Sequence, residues 1–349
     1  MSEKTAAAPA DWSETMQQPP RWKHRPEGSN WGDFGPDDEL GRINLITPAK
    51  VLEGIAEVKA GRSFCLSLPL DYPGTSAISP RRKPPVLSPT IREGRPNMNF
   101  PMRMDDPKAT DVICDDSVLL HTQYSTQWDS LAHVGQMFDA DGDGHPEDLF
   151  YNGFRANLDI VGPVIYSDDG GQLPTSGHLG ARHLGLEKMA ASCVQGRAVM
   201  IDVEHHFGRT GKLIGYNELL HILDADGVVV ETGDMVCIRT GYAQMVLDMN
   251  KRPDAEVLRR TNSALDGGDA RLHQWITDSG LSALICDNYA VEALPATVDH
   301  DCSHHSNVPL HAHCLFKLGI PFGELWYLSE LGDWLRAHGR SRFLLTAPP

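Results

Sequence analysis

Positive charge is what this chain has least of. Its 31 Lys and Arg face 47 Asp and Glu, giving a net charge of −16 with His neutral, which argues against nucleic acid or an anionic membrane as a partner. No run of 18 or more apolar residues occurs, so no transmembrane helix is expected. There is no C-x-x-C: the seven cysteines (65, 114, 193, 237, 286, 302 and 314) are odd in number and scattered. Most lie in apolar strand-like runs, the pattern of buried reduced thiols in a cytoplasmic protein. The opening MSEKTAAAPADWSETMQQPPRW lacks a basic segment followed by an apolar one. It reads as a polar arm over residues 1–30, partly disordered, rather than a secretory signal. No internal repeat is visible.

What is present is an ordinary globular composition, 41% apolar and 22% charged over 349 residues, ample for a buried core. Thr47-Pro48 supplies an N-cap and a first-turn proline, predicting a helix that Gly61 stops. SFCLSLPL (63–70) reads as a strand. Residues 71–108 are rich in Pro, Arg, Ser and Met without periodicity, as in a functional lid or an oligomer arm, and carry the basic cluster Arg81, Arg82 and Lys83. Short apolar strands recur at 111–120, 157–166, 196–205, 234–242 and 281–293. Helix-like segments lie at 214–227, 270–280, 310–319 and 328–339. Strands interleaved with helices predict an α/β fold, here one domain over 31–349.

Three polar stretches compete for chemistry. DADGDGHPEDLF (139–150) begins like an EF-hand loop, but its twelfth position is Phe150 instead of a bidentate Glu and no paired helices flank it. It reads as a tight acidic turn. DHDCSHH (299–305) could bind metal by composition, yet its ligands are crowded, as in a pocket-rim loop. ICDNYAVEALP (285–295) ends a strand with Asp287, Asn288 and Glu292, so Asp287 and Asn288 are candidates for a substrate-binding wall.

The fourth stretch is QYSTQWDSLAH (123–133). Strand positions i and i+4 share a face, so Gln123 and Gln127 are expected to project together, with Asp129 on the same side and His133 just beyond. Four polar side chains between apolar neighbours are costly to bury unless mutually satisfied. Either a functional site or a structural hydrogen-bond cluster meets that requirement.

The same stretch resembles the signature H-x-G-T-H-x-D-x-P-x-H of the cyclase family, which includes bacterial kynurenine formamidases, isatin hydrolases and trans-dienelactone hydrolases. Here Thr126, Asp129 and His133 are kept, while both metal-binding histidines are replaced by Gln123 and Gln127. The resemblance to the family's longer branch extends over about residues 30–335, through WGDFGPDDELGRINLIT (31–47), FYNG (150–153), GRAVMIDV (196–203), ETGDMVCIRTGY (231–242), ICDNYAVEALP (285–295) and LHAHCLFKLGIPFGELWYL (310–328).

The resemblance implies a central mixed, barrel-like β-sheet flanked by helices, assembled as a homodimer or homotetramer. It implies hydrolysis of an amide, lactam or lactone carbonyl in a small cyclic or aryl substrate. Relatives hold a divalent cation, Mn²⁺ or Zn²⁺, at the positions of Gln123, Gln127 and Asp129. Amide oxygens suit hard cations better than Zn²⁺, so the ion is expected to be weakly held or absent. The catalytic imidazole falls on His133, and a second pair on His311 and Glu324. Gln123 and Trp128 are placed beside the substrate, and the glutamine amides are expected to position water or donate to the oxyanion. The alternatives are a metal-free lyase or cyclase, and a member that only binds its ligand.

Overall fold

The structure is a computed structural model and describes residues 21–167, 169–175, 179–297 and 304–349. Its centre is a six-stranded sheet made of β1 (Gln127–Asp129), β2 (Gln195–Asp202), β3 (Met235–Arg239), β4 (Ala283–Cys286), β5 (Phe322–Glu324) and β6 (Arg342–Thr346), in the order β6-β2-β3-β4-β5-β1. The four inner strands are parallel, and both outer strands run antiparallel to their neighbours. Inner strands buried on both sides read as near-continuous apolar runs, as AVMI (198–201) and MVCI (235–238) do.

Side chains alternate between two cores, as the strand period of two requires. Val199, Ile201, Val236, Ile238 and Leu284 pack under α2 (Tyr216–Asp226), α3 (Ala270–Ser279) and a short helix, Pro309–His311, that continues as a π-helix through Ala312–Leu318. Ala198, Met200, Met235, Cys237 and Ile285 face α4 (Ser329–Ala337) and Met189. The sheet curls: the Trp128 indole on one outer strand donates to Ala347 O, beyond the far outer strand, at 3.1 Å. It is therefore barrel-like without backbone pairing between β1 and β6 among the described residues.

Local signals explain the helix ends. In α1 (Pro48–Ala56), Thr47 accepts from Lys50 N, as the Thr-Pro pair predicts; the helix stops at Ala56, short of Gly61. Asp269 caps α3 through Arg271 N and Leu272 N, and Gly280 ends it at φ +67, a conformation that favours glycine. The FYNG turn is tied to the 31–47 segment by Asn152, which donates to Gly35 O and Asp38 O and accepts from Gly32 N.

Other expectations change form. Residues 63–70 make no strand, only a bridge from Ser67 to Trp326, because Ser125 and Thr126 take up the backbone of Pro69 and Leu68 instead. Residues 21–30 pack on the body: Lys23 N and His24 N both donate to Ala140 O, and Trp22 meets Trp31 edge-on. The acidic turn lies between two paired strands, Gln136–Phe138 and Glu147–Leu149, and Asp139 accepts from Gly142, Asp143 and Gly144 N. The six described cysteines are free, with Cys237, Cys286 and Cys314 buried and the other three exposed. No helix among the described residues is long and apolar enough to cross a membrane.

Candidate functional site

The β1–β5 pair builds the site. Its register sets Gln127 opposite Glu324 and Asp129 opposite Phe322, so those four side chains share the face covered by the Pro309–Leu318 segment. Trp128 and Gly323 point the other way. Position 323 must be glycine, because a Cβ there would lie 2.7 Å from Trp326 Nε1. Behind the strand, Thr126 Oγ1 donates to Leu325 O at 2.5 Å, and Tyr124 OH accepts from Gly74 N at 2.9 Å, anchoring the 71–84 loop over the site.

Gln127, Asp129 and Glu324 are buried together. Gln127 Nε2 donates to Glu324 Oε2 at 2.9 Å and to Asp129 Oδ1 at 3.4 Å. Only the NH₂ end of an amide can serve two carboxylates, so the amide oxygen turns away and has no partner. Asp129 Oδ2 is likewise buried without a hydrogen bond.

His311 comes from the helix above. Fully buried Glu292 accepts from Leu310 N, His311 N and, at 2.6 Å, from His311 Nδ1. With Nδ1 fixed as a donor, Nε2 faces Glu324 Oε1 at 3.6 Å. Burial opposes the charged imidazole, but the hydrogen bond to Glu292 and the nearby Glu324 carboxyl outweigh it and hold His311 above the usual histidine range. Glu324 is raised by burial and by the nearby Asp129 charge. The pair thus keeps a positive imidazole among three buried acids.

His133 is the accessible member, its side chain 29% exposed, with Nε2 3.7 Å from Asp129 Oδ2. That separation is longer than a hydrogen bond. Burial lowers its pKa, Asp129 raises it, and His311 and Arg82 lower it further, leaving it below the ordinary imidazole value. Arg82 of the 71–84 loop is close enough to act on both His133 and Glu324.

Five sequence candidates therefore meet: Gln127, Asp129, His133, His311 and Glu324. Four do not. Gln123 sits in a turn, because β1 begins only at Gln127, and its Oε1 accepts from Thr122 Oγ1 at 2.9 Å. Trp128 lines a cavity of about 950 Å³ that Gln123 and Gln127 also border. Asp287 is fully buried and accepts from Thr240 N, Thr240 Oγ1 and Gly241 N. Asn288 is tied to Ser263 O and Val291 N. Asp287 and Asn288 are framework, not a pocket wall. Of the 299–305 stretch only His304 and His305 lie within the described residues. Glu292, named with Asp287 and Asn288 in the 285–295 stretch but not among the candidates, is the one of the three that reaches the site.

The inherited ligand triad is not assembled, since Gln123 is elsewhere and Gln127 presents nitrogen to the carboxylates. A different group can take a cation: ligand atoms of Asp129, His311 and Glu324 all lie within 4.8 Å of one another. Two carboxylates, one of them with the unpartnered Asp129 Oδ2, beside a single imidazole make an oxygen-rich donor set, suited to a hard cation more than to zinc.

The sequence model of the cyclase family matches residues 64–293. A solved structure described as a novel cyclase is 27% identical, with a TM-score of 0.67, covering 92% of each chain. Isatin hydrolase A from Labrenzia aggregata, solved with benzyl benzoate, is 11% identical with a TM-score of 0.51, covering 86% of this chain and 92% of its own. No curated protein matches the sequence.

Proposed function

The chain belongs to the cyclase family, and from that premise we propose that it is a hydrolase of an amide, lactam or lactone carbonyl in a small, cyclic or aryl substrate. The observation that carries this reading is His133: an accessible imidazole with Nε2 facing the unpartnered oxygen of a buried aspartate. The isatin hydrolase fold in the same architecture supports the choice of carbonyl chemistry.

His133 Nε2 takes a proton from water as the water oxygen bonds to the carbonyl carbon. Asp129 stabilises the imidazolium so formed. His311 Nε2–H, held in place by Glu292, donates to the developing oxyanion. The Gln127 N–H groups do not serve there, because both are committed to Asp129 and Glu324. When the tetrahedral intermediate collapses, the C–N or C–O bond breaks and the proton on His133 passes to the leaving nitrogen or oxygen. The products are a carboxylic acid and an amine or alcohol, or one ring-opened acid from a cyclic substrate. A divalent cation, when bound, would be held by Asp129 and Glu324 and by His311 Nε2 once deprotonated, replacing that N–H as the oxyanion's partner, and would polarise the carbonyl as a Lewis acid.

A panel of lactones, lactams and N-formyl anilines tests the reading. The wild type is expected to open at least one member, and His133→Ala to reduce that rate by roughly 10²–10⁴-fold, the usual worth of a general base. Unchanged turnover in His133→Ala would overturn the assignment. One observation favours a second reading: Gln127 occupies the place between two carboxylates where a cation would sit. A metal-free lyase or cyclase would retain turnover after exhaustive chelation without releasing a hydrolysis product. A binding protein would hold ligand without turnover.

A further inference from the structure

The 71–84 loop carries three basic residues in a row and turns one of them inward. Ser79-Pro80-Arg81-Arg82 closes a tight turn, with Arg82 N donating to Ser79 O at 3.1 Å. Serine at the first position and proline at the second favour such a turn. Arg81 and Lys83 are exposed, whereas Arg82 between them is half-buried. The loop is fixed where it lies. Tyr124 OH donates to Thr75 O at 3.2 Å, Tyr72 OH donates to Asn250 Oδ1 at 3.1 Å, and Tyr72 and Ile78 pack on the core cluster of Tyr242 and Leu325.

Arg82 lines a small hollow with Ile78, Gln123, Tyr124 and Leu325, the last of which follows Glu324 directly. Its charge reaches both His133 and Glu324, yet its guanidinium makes no ion pair or hydrogen bond among the described residues. Gln123 borders the same hollow. Its Oε1 accepts from Thr122 Oγ1, while its NH₂ end has no partner among the described residues. A guanidinium that gives up part of its hydration without gaining a partner costs free energy. Its planar fork of donors matches a carboxylate at two points. The rest of the site repels an anion, since the buried acids Asp129, Glu292 and Glu324 stand against the one imidazole of His311. Only the loop end can hold a negative group, and holding it there leaves the ring carbonyl for His133.

We propose that Arg82, with the Gln123 amide, receives a carboxylate carried by the substrate, so that the site takes anionic lactones or lactams in preference to neutral ones. This deepens the carbonyl-hydrolase reading and rests on it for where the reacting carbonyl lies. The competing role for Arg82 is to offset the charge of Asp129 and Glu324, which would affect anionic and neutral substrates alike.

Two pairs of probes, used on the full chain, separate these roles. The first is a γ-lactone bearing a ring carboxylate and the same lactone bearing a primary carboxamide, a neutral group of like shape. Wild type should open the carboxylate with a kcat/KM at least tenfold higher, the difference lying mainly in KM, as suits a charge-assisted hydrogen bond. Arg82→Gln should bring that ratio close to one, and Arg82→Lys, which keeps the charge without the fork, should retain part of it. The second pair has no bond to hydrolyse: cyclopentanone-3-carboxylate and its carboxamide, with dissociation constants measured by calorimetry. The same tenfold preference should appear in wild type and vanish in Arg82→Gln. If neither lactone opens but the ketone pair is still told apart through Arg82, the hydrolase reading fails and the anion site stands. A wild type that binds the carboxylate ketone no better than the carboxamide would overturn the proposal. So would a preference that Arg82→Gln leaves unchanged.

Discussion

Gln127 Nε2 lies 2.9 Å from Glu324 Oε2 and reaches Asp129 as well, so a neutral amide bridges two buried carboxylates. Two such acids side by side repel unless a proton, a cation or a donor stands between them. The amide is that donor. It also explains how the site keeps its shape although the signature's metal-binding histidines are missing.

Replacing Gln127 by His puts an imidazole against Asp129 and Glu324. Together with His311 this makes a His₂-carboxylate set, which suits Zn²⁺ far better than an amide. Gln127→His is expected to bind Zn²⁺ at least tenfold more tightly than the wild type in a competition titration with a chromogenic chelator. Equal affinities would mean that position 127 does not face the cation group.

The pH profile of hydrolysis follows from His133. It works as a base only when neutral, and its pKa lies below the ordinary imidazole value, first because it is buried. Turnover should therefore rise with pH with its midpoint below the ordinary imidazole value of ~6.5. In Asp129→Asn the counter-charge that raises the pKa is gone, so the acidic limb should move lower still while the plateau rate falls. A limb above pH 7 in the wild type would contradict the assignment.

Glu292 positions His311. Glu292→Gln keeps an acceptor for the two backbone N–H groups but removes the charge facing Nδ1. Hydrogen bonds to charged groups contribute about 1.5–3 kcal/mol, and a loss of that size is expected in urea unfolding. The rate of carbonyl hydrolysis should drop with KM nearly constant, because the oxyanion donor is affected more than ground-state binding. A purely structural role would lower stability and leave kcat unchanged.

Asp287 offers a test of the framework role. Burial raises its folded pKa to about 6 against the opposing hydrogen bonds from Thr240 and Gly241. The folded state then binds more protons than the unfolded state between pH ~3.8 and ~6. Its contribution to stability is greatest below that window and shrinks as pH rises through it. The stability advantage of wild type over Asp287→Asn should fall by up to ~3 kcal/mol from pH 4 to pH 6.5, measured by denaturant titration at each pH. An advantage that grew with pH would reverse the sign of the argument.

Much of the inner architecture was legible because it obeys short-range rules. The apolar runs of β2, β3 and β4 announce strands buried on both faces, and α1 and α3 carry their caps in the sequence. Residues 111–120 looked equally strand-like, yet Asp116–Leu119 lies exposed beside Val86–Pro89: composition records apolar character, not which surface covers it. In the site, the spacing of Asp129 and His133 was readable, while the pairing of His311 with Glu324 came only through the family resemblance. The position of Gln123 was not, since the i, i+4 argument assumed a strand that begins four residues later. Asp287 and Glu292 look alike in sequence. Only the fold shows that one accepts from a loop backbone and the other holds the His311 imidazole.

The most direct test of the central claim is chemical rescue. His133→Ala is assayed with the best substrate of the lactone and lactam panel, with and without added imidazole. If His133 is the general base, free imidazole should restore part of the lost rate in proportion to its neutral form, rising with pH through imidazole's own titration. A variant as fast as wild type, or one that imidazole leaves unchanged while its fold and substrate binding are intact, would contradict the account.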